Sequence, residues 1–259
     1  MAIGDIIVGV DIGASKISLV VGEVNNFNQI EVICNTTKKS DGIQKDKIVD
    51  ETKLGEAILS TIEEAEKEIN MKINSAYITI PGKYVTIVQN SVTREAKDKY
   101  SGISQKDVSN ALMHAKDISI PEGKQLIDVI TENFKLDDGR YVENPIGAFS
   151  SSFTLNAELI LADKEYIKSI TNIFRKLNIS IDGMVPIILA EKNLILTDNE
   201  RKKCTMLIDI GAQNTDVGIF DGDKFVYTDS IPVGGQNITN DIAIVLNISY
   251  EEAEKLKKQ

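Results

Sequence analysis

The sequence predicts an α/β fold of two lobes closed around a cleft, and three observations carry that expectation. A strand, an acidic Asp-Ile-Gly-Ala turn and a second strand occur twice, at Asp11-Ile12-Gly13-Ala14 and at Asp209-Ile210-Gly211-Ala212. Short β-branched runs alternate with longer stretches of helical period along the chain. At 259 residues the chain exceeds one domain of roughly 100 to 200 residues, so two or more units sharing a surface are expected.

The elements follow in order. Residues 5 to 36 read as three strands, broken near Asn25 to Asn28 by turn formers, and a loop is expected from Thr37 to Ile48. A helix over about Asp50 to Asn70 carries Leu54, Ile58, Ile62, Ala65 and Ile69 at helical spacing, which makes that stripe core. A strand ends at Ile80. Pro81 to Leu161 reads as a compact insert, with a strand over Tyr84 to Thr93, a helix over Ser104 to Lys116, and strands around Leu126 to Leu136 and Thr154 to Leu161. Ser104 with Asp107 has the pattern of an N-cap. A helix from Lys164 to Leu177, a strand from Ile179 to Val185 and an apolar helical run from Ile187 to Leu196 come next. The second lobe opens near Cys204 with three strands, then a helix from about Asn237 to Leu246 and a last one capped by Ser249.

The repeated hairpin explains how one ligand is held from two sides. Glycine at the tip lets the backbone approach closely and turn its amides inward as a nest for phosphate oxygens, and small or hydroxylated neighbours add donors. An aspartate at the strand end faces those phosphates and suits a magnesium ion held through water. The phosphate-binding candidates are therefore Gly13, Ala14, Ser15 and Lys16 on the first hairpin and Gly211, Ala212, Gln213, Asn214 and Thr215 on the second, with Asp11 and Asp209 for the metal. A single Asp-x-Gly ends many strands as a plain turn. Two copies 198 residues apart, each opening a lobe, are a different matter.

These hairpins resemble the phosphate-1 and phosphate-2 motifs of the actin, sugar-kinase and heat-shock chaperone superfamily. Within it, further segments resemble the FtsA family of bacterial cell-division proteins: Pro81-Gly82-Lys83 entering the insert, Asn144-Pro145-Ile146-Gly147, Ile231-Pro232-Val233-Gly234-Gly235 and Asn240-Asp241-Ile242. The resemblance covers nearly the whole chain and about the first 60% of the family's length. It implies residues 1–81 as the first part of lobe one (1A), 82–161 as the inserted subdomain 1C, of SHS2 type, 162–202 as the return to lobe one, and 203–259 as the start of lobe two. Family relatives place a triple-glycine turn where Gly211-Ala212-Gln213-Asn214 stands, so Gln213 and Asn214 either crowd a nucleotide or donate to it.

The resemblance implies ATP and magnesium as cofactors, self-association into actin-like polymers, and partnership with FtsZ and other division proteins at the cytoplasmic face of the cell membrane. The family's adenosine-binding segment and membrane-binding amphipathic helix do not follow in these residues, so weak or absent ATP binding and no anchor are expected here. Some superfamily members carry a polar or acidic residue near the start of the helix that crosses between lobes; Ile187 is apolar, and little or no hydrolysis is expected. No catalytic residue is assigned. The rival readings are a pilus-assembly ATP-binding relative, which also carries a 1C-like insert, and a small-molecule kinase, for which no aspartate stands in a sugar-binding context.

Composition excludes other classes. With 39 acidic against 29 basic residues the net charge is −10, and no basic stretch interleaved with aromatics is present for nucleic acid. Cys34 and Cys204 are far apart and suggest neither a disulfide framework nor zinc, in keeping with a reducing cytoplasm. No apolar run approaches the ~20 residues of a bilayer span. His114 is the single histidine, so a triad or a multi-histidine metal site has nothing to build on.

Overall fold

The computed structural model describes residues 2–97 and 102–259. The chain opens with an antiparallel meander, β1 (Ile6–Ile12), β2 (Lys16–Val24) and β3 (Ile30–Lys39). The segment expected as a loop instead extends β3 to Lys39 and then forms a small hairpin, β4 (Ile43–Gln44) and β5 (Lys47–Ile48). Helix α1 (Glu51–Ile69) starts where the Asp50 side chain accepts from the amides of Thr52 and Lys53, and stops at Asn70, whose left-handed φ of 51° breaks the helical path. Its Leu54, Ile58, Ile62 and Ala65 are buried against the meander. Strand β6 (Ser75–Ile80) then pairs parallel with β1.

A 3₁₀ turn at Gly82–Tyr84 leads into a second, antiparallel sheet. Its strands are β7 (Val85–Glu95), β8 (Lys124–Leu136), β9 (Tyr141–Val142) and β10 (Ser152–Asp163), in the order β7-β10-β8-β9. Helix α2 (Gln105–Ala115) covers one face, its Val108, Ala111 and Ala115 packed with Phe134, Phe153 and Leu155. Ser104 and Asp107 form a reciprocal capping box, Asp107 Oδ2 accepting from the Ser104 amide at 2.9 Å.

The chain returns through α3 (Lys164–Lys176), which buries Ile170, Ile173 and Phe174 beside α1. Strand β11 (Ser180–Pro186) pairs parallel with β6, completing a five-stranded sheet in the order β11-β6-β1-β2-β3. Helix α4 (Ile187–Ile195) crosses to a third sheet, the meander β12 (Cys204–Ile210), β13 (Thr215–Asp221) and β14 (Lys224–Ile231). Helix α5 (Gly235–Leu246) starts two residues before the expected position, and α6 (Tyr250–Lys257) is capped by Ser249 with Glu252 at its third position.

The duplication read in the sequence is geometric. Strand β12 has the bounds of β1 shifted by 198 residues, and the pairs Asp11↔Ser18 and Asp209↔Asp216 keep the same register. Each turn closes with the same bond, Gly13 N–H to the Lys16 carbonyl at 3.0 Å and Gly211 N–H to the Asn214 carbonyl at 2.9 Å.

Candidate functional site

The two turns face one another across a cavity of about 400 Å³. Asp11, Gly13, Ala14, Ser15 and Lys16 line one side, and Asp209, Gly211, Ala212, Gln213 and Asn214 the other. The structure thus brings together ten of the eleven residues singled out for phosphate or metal. Thr215 is not on the wall: its hydroxyl donates to the Val233 carbonyl at 2.8 Å and braces the approach to α5. That approach is tight. The amides of Gly235 and Gln236 donate to the carbonyls of Gly211 and Ala212 at 2.9 and 2.8 Å. A Cβ at Gly234 would stand 2.6 Å from the Gly211 carbonyl oxygen, so only glycine lets α5 begin against the second turn.

Other residues complete the wall, among them Asp46 from the β4–β5 turn, Thr79 from β6, Ile187 and Glu191 from α4, and Asp216 from β13. Thr79 orients Asp11, donating to its Oδ1 at 2.7 Å while accepting from the Ile12 amide at 3.4 Å. Ile187 stands near the start of the crossing helix and is apolar; one turn further on, Glu191 supplies a carboxylate to the wall. Nothing in the local pattern marked it, because Ile187 to Leu196 reads as one apolar run.

The wall is strongly acidic. Burial first, then the charges of Asp209, Asp11 and Asp216, push the Glu191 carboxyl up to about 7. Asp216 rises to about 6 through burial and the nearby Asp46 and Asp209, although the Gly82 amide donating to it at 2.8 Å pulls the other way. Asp209 is raised as well, by burial and by Asp11, with Lys16 opposing. Such mutually repelling carboxylates are a common mark of a functional site.

Two buried polar atoms on this wall have no partner, Nδ2 of Asn214 and Oε2 of Glu191. A buried donor or acceptor left unmet carries a desolvation cost, and such atoms beside a cavity point to a functional role. Among the described residues no three His, Cys, Asp or Glu side chains stand close enough to ligate one metal ion directly. Asp11 and Asp209, one on each side of the cavity, are the carboxylates that would hold a hydrated magnesium ion.

The Gln213 Oε1 is engaged, accepting from the Lys45 amide at 2.8 Å, while the Asn214 Nδ2 is buried without a partner.

Comparison with known proteins places this geometry in a family. The family model described as "SHS2 domain inserted in FTSA" matches residues 82–161, and the model for "Cell division protein FtsA" matches residues 206–259. The FtsA of Pseudomonas aeruginosa is 27% identical over 254 residues, covering 98% of this chain and 60% of that protein. That of Buchnera aphidicola subsp. Baizongia pistaciae is 30% identical over 252 residues, covering 97% and 59%. The chain belongs to the FtsA family. It spans about 60% of the length of the curated FtsA relatives it matches. Those relatives are cell-division proteins, and this FtsA-family chain has their actin-like fold.

Solved structures agree on the fold. A chain of the PilM–PilN type IV pilus biogenesis complex superposes with a TM-score of 0.63 at 16% identity, covering 98% of this chain and 69% of the other. MreB 5 of Spiroplasma citri, bound to AMPPNP, gives 0.52 at 12% identity, covering 98% and 62%. Among the described residues, no helix is long and apolar enough to cross a membrane.

Proposed function

We propose that this chain is a division-assembly protein of the FtsA type whose cleft binds ATP with magnesium between the two hairpins. The observation that carries this reading is the closure of two 198-residue-related turns on one cavity, whose wall includes Asn214 and Glu191, each with a buried side-chain atom that has no partner. The amides of Gly13 and Gly211 close the two turns, leaving those of Ala14 to Lys16 and of Ala212 to Asn214 to cradle phosphate oxygens, and Lys16 and Asn214, equivalent positions in the duplication, add one side-chain donor each. Magnesium, when bound, offsets the charge that the polyphosphate shares with Asp11 and Asp209. Glu191 accepts the proton of a water attacking the terminal phosphoryl group, a role its raised carboxyl fits near neutral pH. The AMPPNP carried by the MreB 5 structure supports the same use of the fold.

In this reading residues 1–81 and 162–202 form lobe one, 82–161 the insert that serves self-association and recruitment, and 203–259 the start of lobe two. The partners are FtsZ and later division proteins, at the cytoplasmic face of the membrane. The FtsA family matches favour division over pilus assembly, since the likeness to PilM is one of fold.

Thermal unfolding with and without magnesium-ATP tests the cleft. At one hundred times its dissociation constant, a ligand of the folded state adds roughly 2.7 kcal/mol, so a clear rise in Tm that vanishes with EDTA is expected. An unchanged Tm at millimolar magnesium-ATP sinks the nucleotide reading. Co-sedimentation with polymerised FtsZ tests the partner, and failure to co-sediment removes FtsZ from the proposal.

A further inference from the structure

The β4–β5 hairpin is tied to both sides of the cleft in a way that nucleotide binding does not require. Its base is fixed on lobe one, where the Gly42 carbonyl accepts from the amides of Val49 and Asp50 at 2.9 and 3.0 Å. Its tip is a strained two-residue turn, with Lys45 at φ 46° and Asp46 at φ 58°. Both are left-handed conformations that hairpins usually give to Asn or Gly, and each costs a non-glycine residue on the order of 1 kcal/mol.

Five interactions hold that tip. From the 3₁₀ turn, the Tyr84 hydroxyl donates to the Asp46 carbonyl at 2.8 Å, and Lys83 Nζ reaches the Lys45 carbonyl and lies 3.7 Å from Asp46 Oδ2. From the third sheet, the Ser230 hydroxyl donates to Asp46 Oδ2 at 3.2 Å, and Gln213 Oε1 accepts from the Lys45 amide at 2.8 Å. The last bond joins residues 168 apart and starts from a phosphate turn itself. Here the two hairpins part ways: Ser15, the counterpart of Gln213 in the duplication, is exposed.

We propose that the β4–β5 hairpin is a strap over the phosphate site and that Gln213 is its latch, so that parting of Gln213 from the Lys45 amide gates nucleotide entry and release. The inference rests on the nucleotide reading above. The tip is strained and Gln213 ties it to a phosphate-turn candidate through one hydrogen bond, so losing that bond is the step that lets the tip move. Latched, it is tied to the second hairpin at the cavity wall; unlatched, it relaxes toward lobe one and frees the whole Gln213 carboxamide to turn toward phosphate. Gln213 is thus a positioning residue for the strap.

The test has two arms in the full 259-residue chain. The first is amide hydrogen exchange at Lys45 without nucleotide, in the native protein and in Gln213→Met, Gln213→Glu and Ser230→Ala. Losing one net hydrogen bond of roughly 1 kcal/mol speeds exchange about fivefold, so Gln213→Met is expected near that factor, while Gln213→Glu keeps an acceptor and stays close to native. The second arm is stopped-flow release of a fluorescent ATP analogue with magnesium, expected to be about fivefold faster in Gln213→Met and also faster in Ser230→Ala. Unchanged Lys45 exchange in Gln213→Met overturns the latch. Faster exchange with unchanged release overturns the gating. Absence of binding by every form overturns the nucleotide reading, and gating with it, while Lys45 exchange still reports on the latch.

Discussion

The β1–β2–β3 and β12–β13–β14 meanders are the same device in two environments. Their turns share bonding, and their strands share register, yet the faces behind the turns differ. Val8, Val10 and Ile12 are 5%, 2% and 4% exposed under α1 and α3, whereas their counterparts Met206, Ile208 and Ile210 are 57%, 51% and 66% exposed. The opposite face of the third sheet is covered, with Leu207, Phe220 and Phe225 packed against Ile80, Ile160 and Ile188. The turn is therefore specified by its own Asp-x-Gly chemistry and by the cleft side of each sheet. It does not depend on what packs against the far side.

The sharpest contrast to break is that between the two buried and exposed faces. Val10→Asp places a charge in the first core without a partner and is expected to cost at least about 4 kcal/mol in urea unfolding. Ile208→Asp, its counterpart, is expected to change stability by less than about 0.5 kcal/mol. Equal costs would mean that the two meanders are packed alike.

Among the described residues, the backbone join between turn and helix is made by the second hairpin. Gly234→Ala forces the Gly211–Ala212 backbone aside and is expected to cost about 2 kcal/mol and to weaken magnesium-ATP binding; Gly235→Ala, whose added Cβ meets nothing closer than 3.4 Å, is expected to do neither. Urea melts and a binding titration of both variants separate a rigid join from a tolerant one.

The acid wall gives a smaller effect with a definite sign. The folded protein holds the Glu191 proton more tightly than the unfolded chain, so this group stabilises below its ordinary value of 4.5 and loses that contribution as pH rises toward about 7. Glu191→Gln removes the repulsion and is expected to stabilise the nucleotide-free protein by about 1 kcal/mol at pH 8, after discounting for solvent, and not at pH 4. A gain at pH 4 equal to that at pH 8 would show that like-charge crowding is not the cause. The same variant is expected to slow ATP turnover at least tenfold while changing affinity little, measured by phosphate release beside a binding titration.

Much of this was legible in the residues. The hairpins, the stripe Leu54-Ile58-Ile62-Ala65, the Ser104–Asp107 cap and the three strands from Cys204 are local patterns whose period or cap chemistry declares them. Strand β9 and the strap are not: two-residue strands have no period, and the Lys45-Asp46 tip lacks the Asn-Gly signal of such a turn. In the site, sequence found what sits on the repeated turns. Asp46, Thr79 and Glu191 reach the wall from three other elements, and only the tertiary fold brings them there. Glu191 also lies one turn beyond Ile187, inside a run whose apolar residues dominate its pattern.

The central claim is that both hairpins act together on one polyphosphate. Its most direct test is to follow the backbone amide signals of Gly13 and Gly211 by nitrogen-edited NMR while magnesium-ATP is titrated in. The account requires both signals to move with one shared midpoint, and to return when EDTA is added. Movement of one turn alone, or of neither at millimolar nucleotide, would contradict it.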